Sequence, residues 1–292
     1  MTVLTPAPPR TASPASAVAL TLGSMSLVQV GIAASTTFFD RLTPAGTTWL
    51  RLTWAAVILL IVIRPKPWLH SPRDLAGVAG LGVVSAGMTL LFAESASRLP
   101  IAAAVAIGFL GPLGVGVWRR AGKWGLAWPP VAFGGVVLLT EPWHGSVNVP
   151  GLVFAGANAL CWAGYVVMTQ KVADRVPGLS GLAMSMTVSA LTATAFGAGL
   201  ALPRMEFRDL ALGAGLALLV PVLPYAMEML ALRKIAVGAF GTLLSLEPAI
   251  ALIIGWVALH QVPAFWQFTG IGLVTIAAIG AARAGRRDPT TV

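Results

Sequence analysis

Two acids that lie inside apolar runs, each close to a proline, are the residues of this chain most able to do chemistry. In residues 221–261, Pro224 precedes Glu228 by one helical turn, and Glu247 is followed directly by Pro248. A carboxylate within hydrocarbon costs about 2.5 to 3.5 kcal/mol, so such residues usually face a cavity. An interior proline removes one backbone donor and frees a carbonyl group for a neighbour, water or ligand. The pattern predicts a polar cavity inside a membrane protein.

Helical spacing groups these residues into faces. Pro221, Pro224, Tyr225 and Glu228 fall at i, i+3, i+4 and i+7, and so share one face of a helix. The next apolar run repeats the spacing with small groups, at Gly238, Gly241, Ser245 and Pro248. We therefore expect the cavity to be lined by Pro224, Tyr225, Glu228, Ser245, Glu247 and Pro248.

Each of the two acids has a functional and a structural interpretation. Glu228 or Glu247 could hold the ammonium group of a substrate or accept a proton, and either could instead cap backbone groups freed by the adjacent proline. A zwitterionic substrate would also need donors for its carboxylate. Helices broken at Pro112, Pro224 and Pro248 could supply them without many charged side chains.

Composition assigns the whole chain to the membrane. Its 292 residues are 57% hydrophobic and 10% charged, with a mean hydropathy of +0.84, which soluble domains do not approach. The net charge of +9 does not indicate nucleic acid, because the basic residues separate apolar runs and act as topology signals. The single cysteine, Cys161, excludes an intramolecular disulfide.

Ten apolar runs predict ten transmembrane helices, since a spanning helix needs about 20 residues. They lie near 17–38, 45–63, 74–96, 100–118, 125–140, 150–170, 179–201, 209–231, 236–258 and 264–282. Residues 1–16, rich in Pro, Ala, Ser and Thr, are expected to form a disordered leader. Most of the 19 Lys and Arg residues lie at one end of these spans, which places both termini and the 284–292 tail in the cytoplasm.

A short internal repeat divides the spans into two halves. Asp40-Arg41, after the first span, recurs as Asp174-Arg175 after the sixth. Five spans per copy is an odd number, so the second copy enters the membrane inverted. Inverted repeats are typical of secondary transporters, which bind substrate near the midplane between the copies. We predict an all-α integral membrane protein built from two inverted five-helix repeats, 17–141 and 150–283.

Several stretches also carry a family resemblance. They are LPYAMEMLAL at 223–232, FGTLLSLEPA at 240–249, Leu50-Arg51-Leu52, Gly111-Pro112 and Cys161-Trp162-Ala163. With them the chain resembles the EamA-type members of the drug/metabolite transporter superfamily, over nearly its whole length after the leader. One departure is the segment Leu259-His260-Gln261, where members commonly have a Gly-Glu pair.

The resemblance implies an inner-membrane exporter of small metabolites that works by alternating access. The expected substrates are amino acids, either threonine and homoserine or aromatic and broader sets, and the alternative is a multidrug or other small-metabolite exporter. The expected partners are this small molecule and the lipid bilayer, with no nucleic acid, metal or cofactor, and a monomer would suffice. An enzyme is not expected, because His70, His144 and His260 lie in loops and no span holds an aspartate pair.

The sixth span adds a polar and aromatic stripe at Asn158, Trp162 and Tyr165, continued by Thr169. Aromatic residues often anchor membrane interfaces, but Trp162 lies in mid-span, which favours the cavity. The third and fourth spans add Met88, Phe92, Gly108, Gly111 and Pro112, each of which either lines the cavity or packs helices together, with packing favoured for Gly108.

Two polar residues in the first spans complete the candidates. Gln29 either lines the cavity or bonds across to a neighbouring helix. Arg51 lies about two turns from the outer end of its span, and we assign it a structural role, either reaching the interface or pairing with a partner typical of the family.

Overall fold

Helices make up all of the regular secondary structure in the described residues. The structure, a computed structural model, describes residues 14–120, 127–140, 148–176, 179–232, 243–244 and 246–284. The helices are α1 (Pro14–Thr36), α2 (Phe39–Leu42), α3 (Pro44–Ile63), α4 (Pro72–Ala96), α5 (Ile101–Arg120), α6 (Trp128–Thr140), α7 (Val149–Arg175), α8 (Ser180–Ala201), α9 (Phe207–Ala217), α10 (Leu223–Leu232), α11 (Glu247–Leu259) and α12 (Phe265–Ala284). The predicted all-α class is confirmed.

Three long helices begin with the same local signal, a capping side chain followed closely by a proline. The caps are Thr43, Ser71 and Asn148, and each side chain accepts a hydrogen bond from the backbone N–H three residues further on. A side-chain oxygen satisfies a donor that the first turn leaves free, and proline fits that turn because it has no N–H to satisfy. These short motifs set where α3, α4 and α7 start.

Six helical segments are long and apolar enough to cross a membrane, judged by length and composition. They are Ala15–Thr36, Pro44–Ile63, Pro72–Ala96, Val149–Thr169, Ser180–Arg204 and Phe207–Glu228. Four shorter apolar helices accompany them, at Ile101–Val115, Trp128–Thr140, Glu247–Leu259 and Phe265–Gly280. Helix α1 begins at Pro14, so the last three residues assigned to the disordered leader are helical.

The predicted eighth span is interrupted rather than continuous. A five-residue π turn, Leu218–Val222, separates α9 from α10, and Val220 within it has extended backbone angles (φ −150°, ψ 113°). Proline cannot donate to the helical ladder and its ring clashes with the preceding turn. Pro221 directly follows the extended residue Val220 in this turn, and its place on one helical face with Tyr225 and Glu228 stays a prediction. Pro224 lies in the first turn of α10.

Helix breaks were also predicted at Pro248 and Pro112, and the structure differs between these two positions. Glu247 and Pro248 are the first two residues of α11, a helix start rather than a helix interior, which is where a proline is tolerated best. Helix α5, in contrast, runs without interruption through Pro112, so the break predicted there was wrong. A membrane helix accommodates a proline when neighbouring helices, hydroxyl side chains, water or a local backbone adjustment satisfy the freed carbonyl.

Helix packing places α1 where it touches both halves of the 221–261 stretch. Helix α3 packs mainly on α8, α4 on α7 and α8, α5 on α7, and α6 on α12. Helix α1 packs on α10 and on α11. The two acid-bearing helices thus contact the same partner helix.

Candidate functional site

Ser24 of α1 binds the acid of α10. Its hydroxyl oxygen lies 2.9 Å from Glu228 Oε1 and 3.2 Å from the carbonyl oxygen of Pro224. One hydroxyl hydrogen serves both acceptors, so within the described residues the carboxylate shares its side-chain donor with the carbonyl group. Ser24 is fully buried. Sequence reasoning missed this residue, because a serine among several in an apolar helix carries no signal of its own.

Gln29 of α1 binds the acid of α11. Its Nε2 donates to Glu247 Oε1 at 3.3 Å, and the side chain is fully buried. The other amide atom, Oε1, has no hydrogen-bond partner in the described part of the chain. Ser24 and Gln29 are five residues apart, about 140° around a helix, so α1 presents one donor to each acid-bearing helix. Of the two interpretations of Gln29, the structure contains the bond to a neighbouring helix.

The two tyrosines of the chain meet between α7 and α10. Their hydroxyl oxygens, on Tyr165 and Tyr225, are 3.4 Å apart. The ring of Tyr225 packs against the buried cluster that joins α3, α4 and α8, which includes Leu52 and Met186. Tyr165 packs against a second cluster between α4 and α7. Both hydroxyl groups are therefore carried by packed rings, one on α7 and one on α10.

The contact between α5 and α7 is too close for side chains on the α5 surface. A Cβ atom added to Gly111 would lie 2.0 Å from the carbonyl oxygen of Ala159, and one on Gly108 would lie 2.5 Å from Asn158 Nδ2. The packing interpretation thus accounts for both glycines. Trp162 meets the edge of Phe109, with ring centroids 6.0 Å apart.

Asn158 is the most conspicuous polar group on this face of α7. It is 1% exposed, and neither its oxygen nor its nitrogen has a partner among the described residues. Buried amides are almost always hydrogen-bonded, so this group is available to a ligand or water. An apolar groove of about 630 Å³ also runs between α5 and α7, with Gly111, Gly114 and Gly164 in its lining.

The remaining predicted residues are dispersed around these contacts. Phe92 packs against Ile32, Val105 and Ala251, at the meeting point of α1, α5 and α11. Met88 is half-buried on α4, Pro112 is half-buried on α5 and Pro248 is buried at the start of α11. Ser245 lies outside the described residues.

Arg51 lies deeper than the interface interpretation predicted, and its assigned structural role stays a prediction. It does not reach the interface, since it is only 5% exposed, and no acid within the described ranges pairs with it. It shares a buried face of α3 with Thr47, Thr48 and Ala55. That face was visible in the sequence as a helical pattern of polar and small residues, but the position of Arg51 near the end of the span suggested an exposed charge.

A separate group of charges joins α2 to the start of α9. The guanidinium of Arg41 donates to both carboxylate oxygens of Asp209, which is fully buried, and the bond raises the pKa of Arg41. Asp209 also accepts from the backbone N–H of Glu206 at 2.7 Å. Arg208 pairs with Glu206 at 2.8 Å. No cluster of three or more metal-binding side chains occurs in the residues that the structure describes.

Comparison with known proteins shows the family. The model of the EamA-like transporter family matches residues 149–283. The threonine/homoserine exporter RhtA of Salmonella typhimurium (strain SL1344) is 30% identical over 274 residues, which cover 91% of each chain. The chain belongs to the EamA-like transporter family. Its members are transporters and not enzymes, as the sequence predicted, and the assignment to the drug/metabolite transporter superfamily is confirmed.

Two further comparisons agree with this membership. RhtA of Escherichia coli (strain K12) is 28% identical over 276 residues, covering 93% of this chain and 92% of its own. A solved crystal structure of a protein, 20% identical, covers 94% of this chain and 99% of that chain with a TM-score of 0.63, and so shares its fold. An EamA-like transporter is a multi-pass membrane protein, which fits the apolar helices described above.

The departure of this EamA-like chain from the usual Gly-Glu pair has a local structural explanation. His260 adopts the left-handed conformation that favours glycine, with φ 53°, and ends α11. Gln261 Oε1 then accepts from the backbone N–H of Ile101 at 3.1 Å, at the first residue of α5. The loop thus connects α11 to the start of α5, and a carboxylate is not needed to make that bond.

Proposed function

We propose that the protein exports amino acids, of the threonine and homoserine type or of a broader set that includes aromatic ones, across the bacterial inner membrane. The proposed architecture has ten transmembrane helices in two inverted five-helix repeats, with both termini in the cytoplasm. The twelve described helices reduce to ten if α2 is a connecting turn and α9 with α10 forms one broken span. Transport proceeds by alternating access through a central cavity between the repeats.

One observation carries the proposal: the two acids next to α1, in a chain that aligns with RhtA over 91% of both lengths. Each carboxylate accepts one side-chain hydrogen bond from α1 within the described residues, although a carboxylate has room for about four. The free acceptor capacity suits an ammonium group, which has three donors. Glu228 and Glu247 therefore serve as acceptors for the amino group of the substrate.

The same bonds offer a simple route to alternating access. Helix α1 is tied to α10 through Ser24 and to α11 through Gln29, and both partner helices start beside irregular backbone or a proline. A substrate ammonium group or a proton that occupies a carboxylate competes with the Ser24 or Gln29 bond. Occupancy of the acids then changes how firmly α1 is held, which couples binding to movement of α1.

A multidrug exporter of lipophilic cations is the second candidate. The hydroxyl pair of Tyr165 and Tyr225, with Glu228 on the next turn of α10, supports it, because aromatic rings and one acid attract organic cations. The buried positive charge of Arg51 disfavours it, since a like charge repels a cation in a site of low dielectric constant.

Transport in proteoliposomes tests the proposal. The substrates are labelled threonine, homoserine, methionine and tryptophan, with tetraphenylphosphonium as the lipophilic cation, each with and without an imposed pH gradient. We expect saturable amino-acid transport, and Glu228→Gln to reduce it by roughly tenfold or more, since hydrogen bonds to charged groups contribute about 1.5 to 3 kcal/mol.

Glu94→Gln is the matched control, because Glu94 pairs with Arg98 at the end of α4, outside the candidate site. A gradient response that is present in the wild type and lost only in Glu228→Gln would make Glu228 a proton carrier. Transport of tetraphenylphosphonium without any amino-acid transport would replace the proposal with the drug-exporter function.

A further inference from the structure

Arg51 stands out because it is a buried charge with no acidic partner among the residues that the structure describes. Among the buried residues of the described ranges it is the single positively charged side chain, and the single buried acid, Asp209, is bound to Arg41. The Nε atom of Arg51 has no hydrogen-bond partner there. Guanidinium groups stay protonated in proteins, so this position carries a positive charge inside the helix bundle.

Such an arrangement is costly unless something completes it. A buried charge without its partner is strongly destabilising, and ionisable residues inside membrane segments usually mark substrate or ion pathways. Neutral residues of similar length would avoid the cost and keep the packing of α3. The position is therefore explained best by a negatively charged ligand that binds during transport.

The surroundings of Arg51 connect it to the candidate site. Tyr225 packs against the buried cluster that contains Leu52, the residue next to Arg51, and it lies one turn before Glu228 on α10. The hydroxyl of Tyr225 is hydrogen-bonded to that of Tyr165. The cation of α3 and the acid of α10 therefore lie on helices that meet at Tyr225, so the site offers groups of both signs, as a zwitterion requires.

The helix starts that were expected to hold a carboxylate are poor sites for it. The first residue of α11 is Glu247, whose own charge would repel a substrate carboxylate. Helix α10 starts with Leu223 and Pro224, and proline contributes no N–H donor. A bidentate guanidinium is the strongest alternative partner for a carboxylate in proteins.

We propose that Arg51 binds the α-carboxylate of the transported amino acid. This proposal rests on the proposed function, and it adds the residue that makes the site select acids over their neutral derivatives. It also replaces the structural role that the sequence suggested for Arg51.

Competition in proteoliposomes tests it on the wild-type protein first. For each amino acid that the wild type transports, unlabelled amino acid and its α-amide compete against labelled substrate. The amide keeps the ammonium group and side chain but loses the charge that Arg51 would bind. We expect the amide to compete about 10 to 100 times less well, the factor for one hydrogen-bonded charge pair.

Variants then assign this preference to Arg51. Arg51→Gln should weaken amino-acid binding by a similar factor and bring acid and amide within about threefold of each other, while Arg51→Lys should restore part of the preference because it keeps the charge. Arg98→Gln, an exposed arginine paired with Glu94, is the control and should keep the wild-type preference.

Thermal stability without substrate supplies an independent readout. If the charge of Arg51 is paired only when a ligand is bound, Arg51→Gln removes an unpaired buried charge and raises the unfolding midpoint. If Arg51 has a structural role, the same substitution lowers the midpoint. Equal competition by acid and amide in the wild type would overturn the proposal without any variant, as would a full preference retained in Arg51→Gln. In both cases amino-acid transport itself would stand, while a wild type that transports no amino acid would overturn the proposed function as well.

Discussion

Buried charged and polar groups have hydrogen-bond partners at one place in this molecule and, among the described residues, lack some of them at another. Where α2 meets α9, Asp209 is fully buried and its carboxylate accepts three hydrogen bonds, two from Arg41 and one from the Glu206 backbone. In the bundle interior, Arg51 and Asn158 are as deeply buried but have side-chain atoms that no described residue satisfies.

The difference separates groups that hold the fold from groups kept for a ligand. A buried polar group costs free energy unless it is bonded, so satisfied groups stabilise a structure and unsatisfied ones weaken it. Substitutions should therefore have opposite effects at the two places. At the α2–α9 contact they should lower stability and spare binding, and in the interior they should raise stability and impair transport.

Asp209→Asn should have the largest effect on stability. The substitution leaves the guanidinium of Arg41 without its carboxylate and weakens the bond at the start of α9. We expect the midpoint of thermal unfolding in detergent to fall by roughly 5 °C, with little change in substrate affinity. Fluorescence-monitored unfolding of the purified protein measures it.

Glu206→Gln is the matched control for this prediction. Glu206 is more than half exposed and lies 3.7 Å from Arg41, a geometry in which ion pairs contribute little. Its midpoint should stay within about 1 °C of the wild type. A similar fall in both variants would mean that the bidentate Arg41–Asp209 pair contributes no more than an exposed ion pair. The α2–α9 contact would then not be an example of a stabilising buried pair.

Asn158→Leu should change stability in the opposite direction. Leucine has a similar shape and lacks the two polar atoms that have no partner, so the unfolding midpoint should rise by roughly 3 °C. If the amide serves a ligand, transport should fall in the same variant. The two measurements are unfolding in detergent and initial transport rates in proteoliposomes.

Asn148→Leu provides the contrast on the same helix. Asn148 accepts a hydrogen bond from Gly151 N at 2.9 Å and caps the start of α7, so the same substitution should lower the midpoint. An Asn158→Leu protein that is less stable than the wild type would show that the interior amide is satisfied after all.

The sequence was informative wherever a short-range pattern determines the outcome. Helical periodicity placed Tyr225 and Glu228 on neighbouring turns, and both lie on α10 within reach of α1 or α7. Hydropathy identified the all-helical fold, because apolar runs of about 20 residues have few other structures available. The family resemblance rested on local motifs in the same stretch.

The errors all concern interactions between distant segments. Whether an arginine near the end of a span reaches the interface depends on the helices around it. For α3 these helices include α10, whose Tyr225 packs against the cluster of Leu52 from more than 170 positions away. Pro112 and Pro221 look alike in sequence, yet only the second lies in a break, since the neighbouring helices decide how a freed carbonyl is satisfied. Ser24 mattered only once its partner Glu228 was known.

Gln261→Glu should have the smallest effect on stability. It tests whether a charge strengthens a hydrogen bond that the wild type already makes. Gln261 accepts from the N–H of Ile101 at the start of α5, where a negative charge interacts favourably with the helix dipole, by about 0.3 to 1 kcal/mol. We expect the midpoint to rise by roughly 1 to 3 °C at pH 7. Gln261→Met, of similar length but without the acceptor, should lower it.

The pH dependence of the added stability of Gln261→Glu identifies its cause. The introduced carboxylate would be stabilised in its charged form by the helix start, so its pKa in the folded state would lie below the ordinary glutamate value of about 4.3. The added stability should be complete above that value and disappear as the pH falls through the lower folded-state pKa. A gain that persists unchanged at pH 3 would point to better packing rather than charge, and no gain at pH 7 would mean that the neutral amide already satisfies the start of α5.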